Sequence, residues 1–262
     1  MKVLIRGAGD LATGTALRLH RAGMQVIMTD LPKPTAIRRT VSFSEAIRLG
    51  SVQVEGVTAR LTTAEDAEEV LRRGEIPVLA DPQCLCRKTL KPQVLVDAIL
   101  AKKNLGTSME DAPVVIALGP GFTAGVDCHA VVETMRGHYL GRVILSGSAQ
   151  PNTAVPGLIG GYAGERVLRA PADGVFRSCL EIGSQVHAGD VAGSVGDVPM
   201  LCTIDGILRG LLADGIRVTE GMKAGDVDPR CCRDHCFCAS DKALAVGGGV
   251  LEAILQLTEV LK

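Results

Sequence analysis

The chain has 262 residues, 47% of them hydrophobic and 22% charged, with 31 glycines and a formal net charge of −1. That is enough apolar material for a folded α/β core and excludes intrinsic disorder. Aromatic residues make up only 2%, with no Trp, so there are no stacking platforms for bases and no excess of positive charge for phosphates, and nucleic acid is excluded as a partner.

The longest apolar runs are strand-sized, far short of the roughly 20 residues a membrane helix needs, and no membrane association is expected. The N-terminus enters a strand directly, without the apolar stretch and cleavage site of a signal peptide, so the expected location is the cytoplasm. In that reducing compartment the nine cysteines read as free thiols or metal ligands rather than disulfides.

In chain order, the strand Lys2–Arg6 runs into Gly7-Ala8-Gly9-Asp10-Leu11-Ala12-Thr13-Gly14, then a helix over residues 15–22, a strand over 24–29, and Asp30, 23 positions after Gly7. A dinucleotide site asks for this order. Glycines permit a tight turn and close backbone approach, the helix N-terminus attracts a pyrophosphate, and the acid accepts a ribose hydroxyl. The segment predicts a Rossmann-like nucleotide-binding domain over residues 1–150, with Gly7, Gly9, Asp10, Ala12, Gly14 and Asp30 as candidate cofactor contacts. Asp10 opposes the usual pose, because its charge would repel a phosphate unless Arg6 neutralises it or the carboxylate turns away. Arg38 and Arg39 are either further phosphate contacts or solvated.

Residues 52–61 read as extended, 64–73 as helix, 76–80 as a strand ending in Asp81-Pro82, 94–96 as a strand ending in Asp97, and Val114–Leu118 as a strand ending in Gly119-Pro120-Gly121-Phe122. Ligands in open parallel sheets sit at the carboxyl ends of strands, so Asp30, Asp81, Asp97, Gly119 and Gly121 are expected to line one crevice, or else to cap helices and form turns. His129 and Glu133 share a face if their segment is helical, which suits an acid–base pair, a metal or an exposed ion pair. His138 is a further candidate. No spacing fixes a set of metal ligands.

The stretch Gln150-Pro151-Asn152-Thr153-Ala154-Val155-Pro156-Gly157 reads as a linker. Beyond it the chain repeats itself at an offset of 32 positions: Asp173-Gly174, Arg177, Leu180, Gly183, Val186 and Gly189 recur as Asp205-Gly206, Arg209, Leu212, Gly215, Val218 and Gly221. Each copy has the pattern of short strands and glycine turns. Two such copies resemble the half-motifs of biotinyl and lipoyl carrier domains, which implies a small all-β barrel-sandwich module over residues 158–227. No lysine lies between Asp173 and Met222, so the module is expected to carry neither biotin nor lipoate and to serve packing or docking.

Residues 231–238 hold four cysteines and one histidine, flanked by Arg230 and Arg233. Arginines beside thiols favour thiolates, which suits a thiophilic metal or a nucleophile, with Cys236 the preferred member; packing as small apolar residues is the alternative. A C-terminal amphipathic helix over 250–261 follows Gly247-Gly248-Gly249, which either offers amides to an anion or allows tight packing. Residues 228–262 are expected to return to the N-terminal domain. The whole reads as an α/β protein: a Rossmann-like parallel sheet, a small all-β module, and a helix packing back.

The residues Arg6-Gly7-Ala8-Gly9-Asp10-Leu11-Ala12-Thr13-Gly14, Ile37-Arg38-Arg39-Thr40-Val41, Leu118-Gly119-Pro120-Gly121-Phe122, Ala124-Gly125-Val126-Asp127 with His129, Arg136-Gly137-His138, and the run from Asp228 through Ala243 resemble the YqeB-type accessory proteins of selenium-dependent molybdenum hydroxylases. The N-terminal loop also resembles that of XdhC-type maturation factors. The resemblance implies a role in maturing such hydroxylases and supplies no catalytic residues; the leading expectation is a protein that binds a nucleotide-like or molybdopterin-type ligand at Gly7 to Gly14, with NAD(P) as the other candidate cofactor, and offers His129, His138 or Cys236 to the chemistry. Its implied partners are a molybdenum hydroxylase apoenzyme and cofactor-maturation proteins, with a homo-oligomer open. A NAD(P)-dependent oxidoreductase and a non-enzymatic docking scaffold are the rival readings.

Overall fold

The computed structural model describes residues 1–258, which form two units. Unit 1 comprises Met1–Pro34, Ser42–Thr153 and the segment from Ala239; unit 2 comprises Thr35–Val41 and Ala154–Cys238.

Unit 1 begins with β1 (Lys2–Arg6), α1 (Asp10–Arg21) and β2 (Gln25–Thr29), followed by α2 (Glu45–Leu49), β3 (Ser51–Val54), β4 (Val57–Leu61), α3 (Ala67–Arg72) and β5 (Ile76–Leu79). It continues through α4 (Arg87–Leu90), β6 (Val94–Asp97), β7 (Val114–Leu118), β8 (Thr123–Ala124), β9 (Ala130–Val132), β10 (Val143–Ile144) and β11 (Gly147–Ser148). Nine of these strands make one sheet in the order β10-β9-β7-β6-β1-β2-β5-β4-β3. The central strands β6, β7 and β5 are buried along their whole length, which is why they read as continuous apolar runs.

A Rossmann-like parallel sheet is not the architecture found. The sheet is mixed: β10 and β3 add antiparallel strands at its two edges. Helical cover is sparse, because β6 reaches β7 through a loop with a single 3₁₀ turn, and β7 reaches its parallel neighbour β9 with no helix between them. The 52–61 segment is a hairpin, β3–β4, not one strand. Helix α1 starts at Asp10, so half of the glycine loop is helix interior.

Unit 2 holds β12 (Val167–Arg169), β13 (Gly174–Ser178), β14 (Gln185–Val186), β15 (Val191–Val195), β16 (Val198–Leu201), β17 (Gly206–Leu211), β18 (Arg217–Val218) and β19 (Lys223–Asp228). They form two four-stranded antiparallel sheets, β12-β19-β17-β14 and β16-β15-β13-β18. The internal repeat is visible as an exchange: β14 of the first copy pairs with β17 of the second, and β18 of the second pairs with β13 of the first. Phe176, Leu208, Leu211, Leu212 and Val227 fill the shared core.

This unit also differs from a self-contained biotinyl/lipoyl-like module at 158–227. The segment Thr35–Val41 is part of it, held where Leu211 donates to the Ile37 carbonyl (2.7 Å) and Arg39 Nε donates to the Leu211 carbonyl (2.8 Å). The cysteine-rich segment 231–238 also lies in unit 2, so only the chain from Ala239 onward joins unit 1.

The last helix, α5 (Asp241–Leu257), starts nine residues earlier than its amphipathic stripe suggests, capped by Ser240, whose hydroxyl accepts the Ala243 amide. Gly247 and Gly249 therefore lie inside the helix rather than at its start. Each permits close approach: a Cβ on Gly247 would meet Gly14 and Thr15 of α1 at 2.9 Å, and one on Gly249 would strike the Gly141 carbonyl. The anion reading of the three glycines is replaced by helix packing. Leu261 lies outside the described residues.

Candidate active site at the strand ends of unit 1

Parallel register brings Arg6, Thr29, Leu79 and Asp97 to one level at the carboxyl edge of the sheet, where Arg6 pairs with both Thr29 and Asp97, and Thr29 with Leu79. The loops that leave these strands are tied together by Arg6, which is buried. Its guanidinium donates to Thr107 Oγ1 (2.9 Å), the Leu105 carbonyl (3.1 Å) and the Pro82 carbonyl (3.3 Å), and lies 3.5 Å from Asp97. Thr107 in turn donates to Asp97 Oδ2 (2.6 Å). Asn104 fixes this loop locally, with its Oδ1 accepting the amides of Gly106 and Thr107 (both 2.8 Å). Burial pushes the Asp97 carboxyl up, against the opposing pull of Thr107, the Ile99 amide and Arg6.

On the neighbouring strand, Asp81 organises the turn after β5. Its carbonyl accepts the Cys84 amide (3.0 Å) and its carboxylate accepts the Cys86 amide (2.8 Å), while Arg87 donates to the Cys84 carbonyl (2.9 Å). Cys84 itself takes a left-handed backbone conformation with φ 55°, costly for a residue with a Cβ, and such strain concentrates where geometry is functional.

The two thiols are 2% and 7% exposed, and each shifts the other. The neighbouring Cys86 thiol holds Cys84 below the ordinary thiol range; burial and the Asp81 charge oppose this, and the Thr29 hydroxyl and the Arg6 charge assist it. The Cys84 thiol, with burial and the Asp81 carboxylate, drives Cys86 upward. Thr29 Oγ1 is fully buried and makes no hydrogen bond of its own. Two chemically identical groups are thus shifted in opposite directions. The sequence signal was Cys84-Leu85-Cys86 just after a strand ending in Asp81.

The glycine loop is arranged differently from a nucleotide site. Gly7 donates to the Thr29 carbonyl (2.7 Å), Ala8 to Asp30 Oδ2 (2.8 Å) and Leu11 to Asp10 Oδ1 (2.9 Å), so these three amides already have protein acceptors. Burial pushes the Asp30 carboxyl up despite the amides of Leu31 and Ala8. Gly9 serves as the N-cap of α1 and Ala12 is buried inside that helix. Gly14 is needed for contact with α5, since a Cβ there would lie 2.5 Å from that of Ala243. Gly119 donates to the Val132 carbonyl (2.9 Å), and Gly121 packs against the backbone of Lys102 and Lys103.

Arg38 and Arg39 lie in unit 2, where they meet backbone carbonyls: Arg38 donates to His235 (2.8 Å) and Cys238 (3.3 Å), Arg39 to Leu211. His129 and Glu133 do not share a helix face, because β9 lies between them. His129 Nδ1 accepts the Val115 amide (3.0 Å), whereas Glu133 accepts the amides of Met135 (2.7 Å) and Gln150 (2.8 Å). His138 is exposed, its ring edge-on to Tyr139.

Cys236 is fully buried in unit 2, where its thiol donates to the Leu208 carbonyl (3.8 Å) and burial pushes it up rather than down. Beside it lies a buried charge network. Asp226 accepts from Arg166 and Arg209, and Asp228 from Arg209 (3.2 Å) and Arg230 (2.6 Å), with His235 Nδ1 at 3.7 Å. Among the described residues no group of three or more His, Cys, Asp or Glu is placed to hold a metal ion, and no helix is long and apolar enough to cross a membrane.

The fold and site define a two-unit protein whose larger unit carries a buried dithiol at the carboxyl edge of a mixed α/β sheet. The YqeB-type resemblance holds: the chain is 55% identical over 256 residues to the uncharacterized protein YqeB of Escherichia coli (strain K12), covering 97% of this chain and 47% of that protein. The chain thus spans about half the length of the curated relative it matches. No protein-family model matches it.

Among solved structures, an aspartoacylase family protein of Mesorhizobium loti is 11% identical over 86% of this chain and 84% of its own, with a TM-score of 0.27. A succinylglutamate desuccinylase/aspartoacylase of Rhodobacter sphaeroides is 28% identical over 24% of this chain and 21% of its own, with a TM-score of 0.21. Likeness at these TM-scores establishes no shared fold.

These findings correct the expected function. The YqeB name supplies no activity, so no maturation role follows from that relative. Selenium handling, a molybdopterin-type ligand and nucleotide binding lose their structural basis with the occupied glycine loop, and the NAD(P)-dependent oxidoreductase falls with them. The docking scaffold likewise gains no support from the relative matched.

Proposed function

We propose that unit 1 is a thiol-dependent catalytic domain in which Cys84 is the nucleophile toward a small electrophile. The observation that carries this reading is the buried Cys84 in a left-handed turn after β5, anchored by Asp81 and Arg87, with its thiol held below the ordinary range by the Cys86 thiol. A thiolate rather than a thiol attacks, so an arrangement that donates a proton toward one sulfur and places positive charge near it prepares that sulfur for reaction. The near-complete burial of Cys84 requires the 80–86 turn to part when substrate enters. The turn is hinged on Asp81 and strained at Cys84, which suits that motion. We place the protein in the cytoplasm, where the pair is kept reduced.

The test is alkylation of the native protein with iodoacetamide over a pH series, with each cysteine followed by peptide mapping. Cys84 is expected to react with a midpoint below the roughly 8.5 of a free thiol. A midpoint at or above that value, or reaction confined to the exposed Cys179 and Cys231, contradicts the reading.

A further inference from the structure

We infer that the Nε and Nη2 edge of Arg6 receives a carboxylate of the substrate, so that the electrophile met by Cys84 is a small carboxylate-bearing molecule. This rests on the reading of Cys84 as the nucleophile and adds a substrate class and a substrate-binding residue.

Nε and Nη2 of a guanidinium form a planar fork that matches the two oxygens of a carboxylate, with N–H···O bonds of roughly 2.7–2.9 Å. In unit 1 one neutral atom fills that fork. The Pro82 carbonyl oxygen takes both N–H groups, Nε at 3.4 Å and Nη2 at 3.3 Å, and the Leu105 carbonyl shares Nη2 at 3.1 Å. All three contacts are longer than the roughly 2.9 Å of a well-formed N–H···O bond. The acidic neighbour of Arg6 lies on the other side of the guanidinium. There Nη1 donates to Thr107 Oγ1 (2.9 Å) and stands 3.5 Å from Asp97, whose carboxylate already accepts the Thr107 hydroxyl (2.6 Å) and the Ile99 amide (3.2 Å). A guanidinium buried to 9% exposure thus keeps a two-donor edge occupied only by backbone carbonyls.

That backbone is the part that has to move. Pro82 precedes Cys84 by two residues, so their Cα atoms are at most about 7 Å apart. When the 80–86 turn parts, the Pro82 oxygen leaves Arg6 and uncovers the fork close to the nucleophile. A carboxylate arriving there exchanges two long bonds to a neutral oxygen for two charge-assisted bonds, which offsets the cost of opening the turn. The second loop held by Arg6 presents Lys102 and Lys103, both exposed, and positive charge at the approach favours an anion.

The probes are iodoacetate and iodoacetamide, which share the reacting carbon and the leaving group and differ in the carboxylate. With either one the Cys84 sulfur forms a bond to the CH2 carbon and iodide departs. The native chain is alkylated with each at one pH and ionic strength, and the rate at Cys84 is divided by the rate at the exposed Cys179, both from peptide mapping. The iodoacetate-to-iodoacetamide ratio normalised in this way is expected to be about tenfold above one, the order a bidentate charge-assisted pair supplies. Replacing sodium chloride with sodium acetate is expected to slow iodoacetate at Cys84 and not at Cys179. Arg6→Lys, which keeps the charge and loses the fork, is expected to return the ratio toward one. A wild-type ratio at or below one, or an iodoacetate rate indifferent to acetate, overturns the carboxylate site and leaves the nucleophile standing. No alkylation of Cys84 by either reagent overturns both. The wild-type measurements decide the matter even if the variant folds poorly.

Discussion

Cys84 and Cys86 are shifted in opposite directions, each chiefly by the other, so the effect of substitution at Cys86 depends on whether a donor remains. Cys86→Ala removes it and is expected to return Cys84 toward the ordinary thiol range, so that at neutral pH the thiolate fraction and the alkylation rate fall. Cys86→Ser keeps an O–H and is expected to lie between the two. Stopped-flow alkylation at fixed pH checks the order wild type, Ser, Ala. A different residue-scale balance operates in unit 2. There burial alone would raise Asp228, yet hydrogen bonds from Arg230 and the charges of Arg209 and Arg230 outweigh it and hold the carboxyl at about 2. A carboxyl depressed on folding adds stability above its unfolded value near 3.8 and gives it up as the pH falls through its folded value. Urea midpoints are therefore expected to drop between about pH 4 and about pH 2, and Asp228→Asn is expected to flatten that dependence. Asp226 joins two buried arginines, so Asp226→Asn leaves uncompensated charge and is expected to cost about 3–5 kcal/mol in the same urea experiment.

At the scale of elements, glycine acts chiefly through close packing. Gly14 of α1 lies against Ala243 of α5, and Gly247 of α5 lies against Gly14 and Thr15. Gly14→Ala is expected to destabilise unit 1 by about 1–3 kcal/mol, measured by chemical denaturation, because the added methyl meets backbone as well as a side chain. This is also where the sequence is least transparent. The strands β1, β2 and β7 are legible as short β-branched and aliphatic runs, and the second-half repeat is legible as Asp-Gly and Gly turns at fixed offsets. Gly7 to Gly14, in contrast, satisfies two physical requirements with one pattern. A glycine that frees backbone for phosphate and a glycine that admits a neighbouring helix look alike until α5 is seen against α1. His129 and Glu133 show the same ambiguity, since a spacing of four suits a helix but places nothing together on a strand.

For the whole molecule, what could not be read locally is what long-range pairing decides. Nothing in the residues Ile37-Arg38-Arg39-Thr40-Val41 announces that they join unit 2 by bonds to Leu211, His235 and Cys236. The same pairing turned two candidate phosphate arginines into clamps on backbone carbonyls. Conversely, Cys84 and Cys86 gain their chemistry only because parallel register carries Arg6 and Thr29 to the same edge, though Cys-x-Cys beside a strand end was visible in the sequence. The most direct measurement of the central claim is the thiolate ultraviolet absorbance of native protein titrated against pH, wild type against Cys84→Ala. The account predicts a one-thiol step in the wild type below the roughly 8.5 of a free cysteine, absent from the variant. Superimposable titrations below that pH would contradict it.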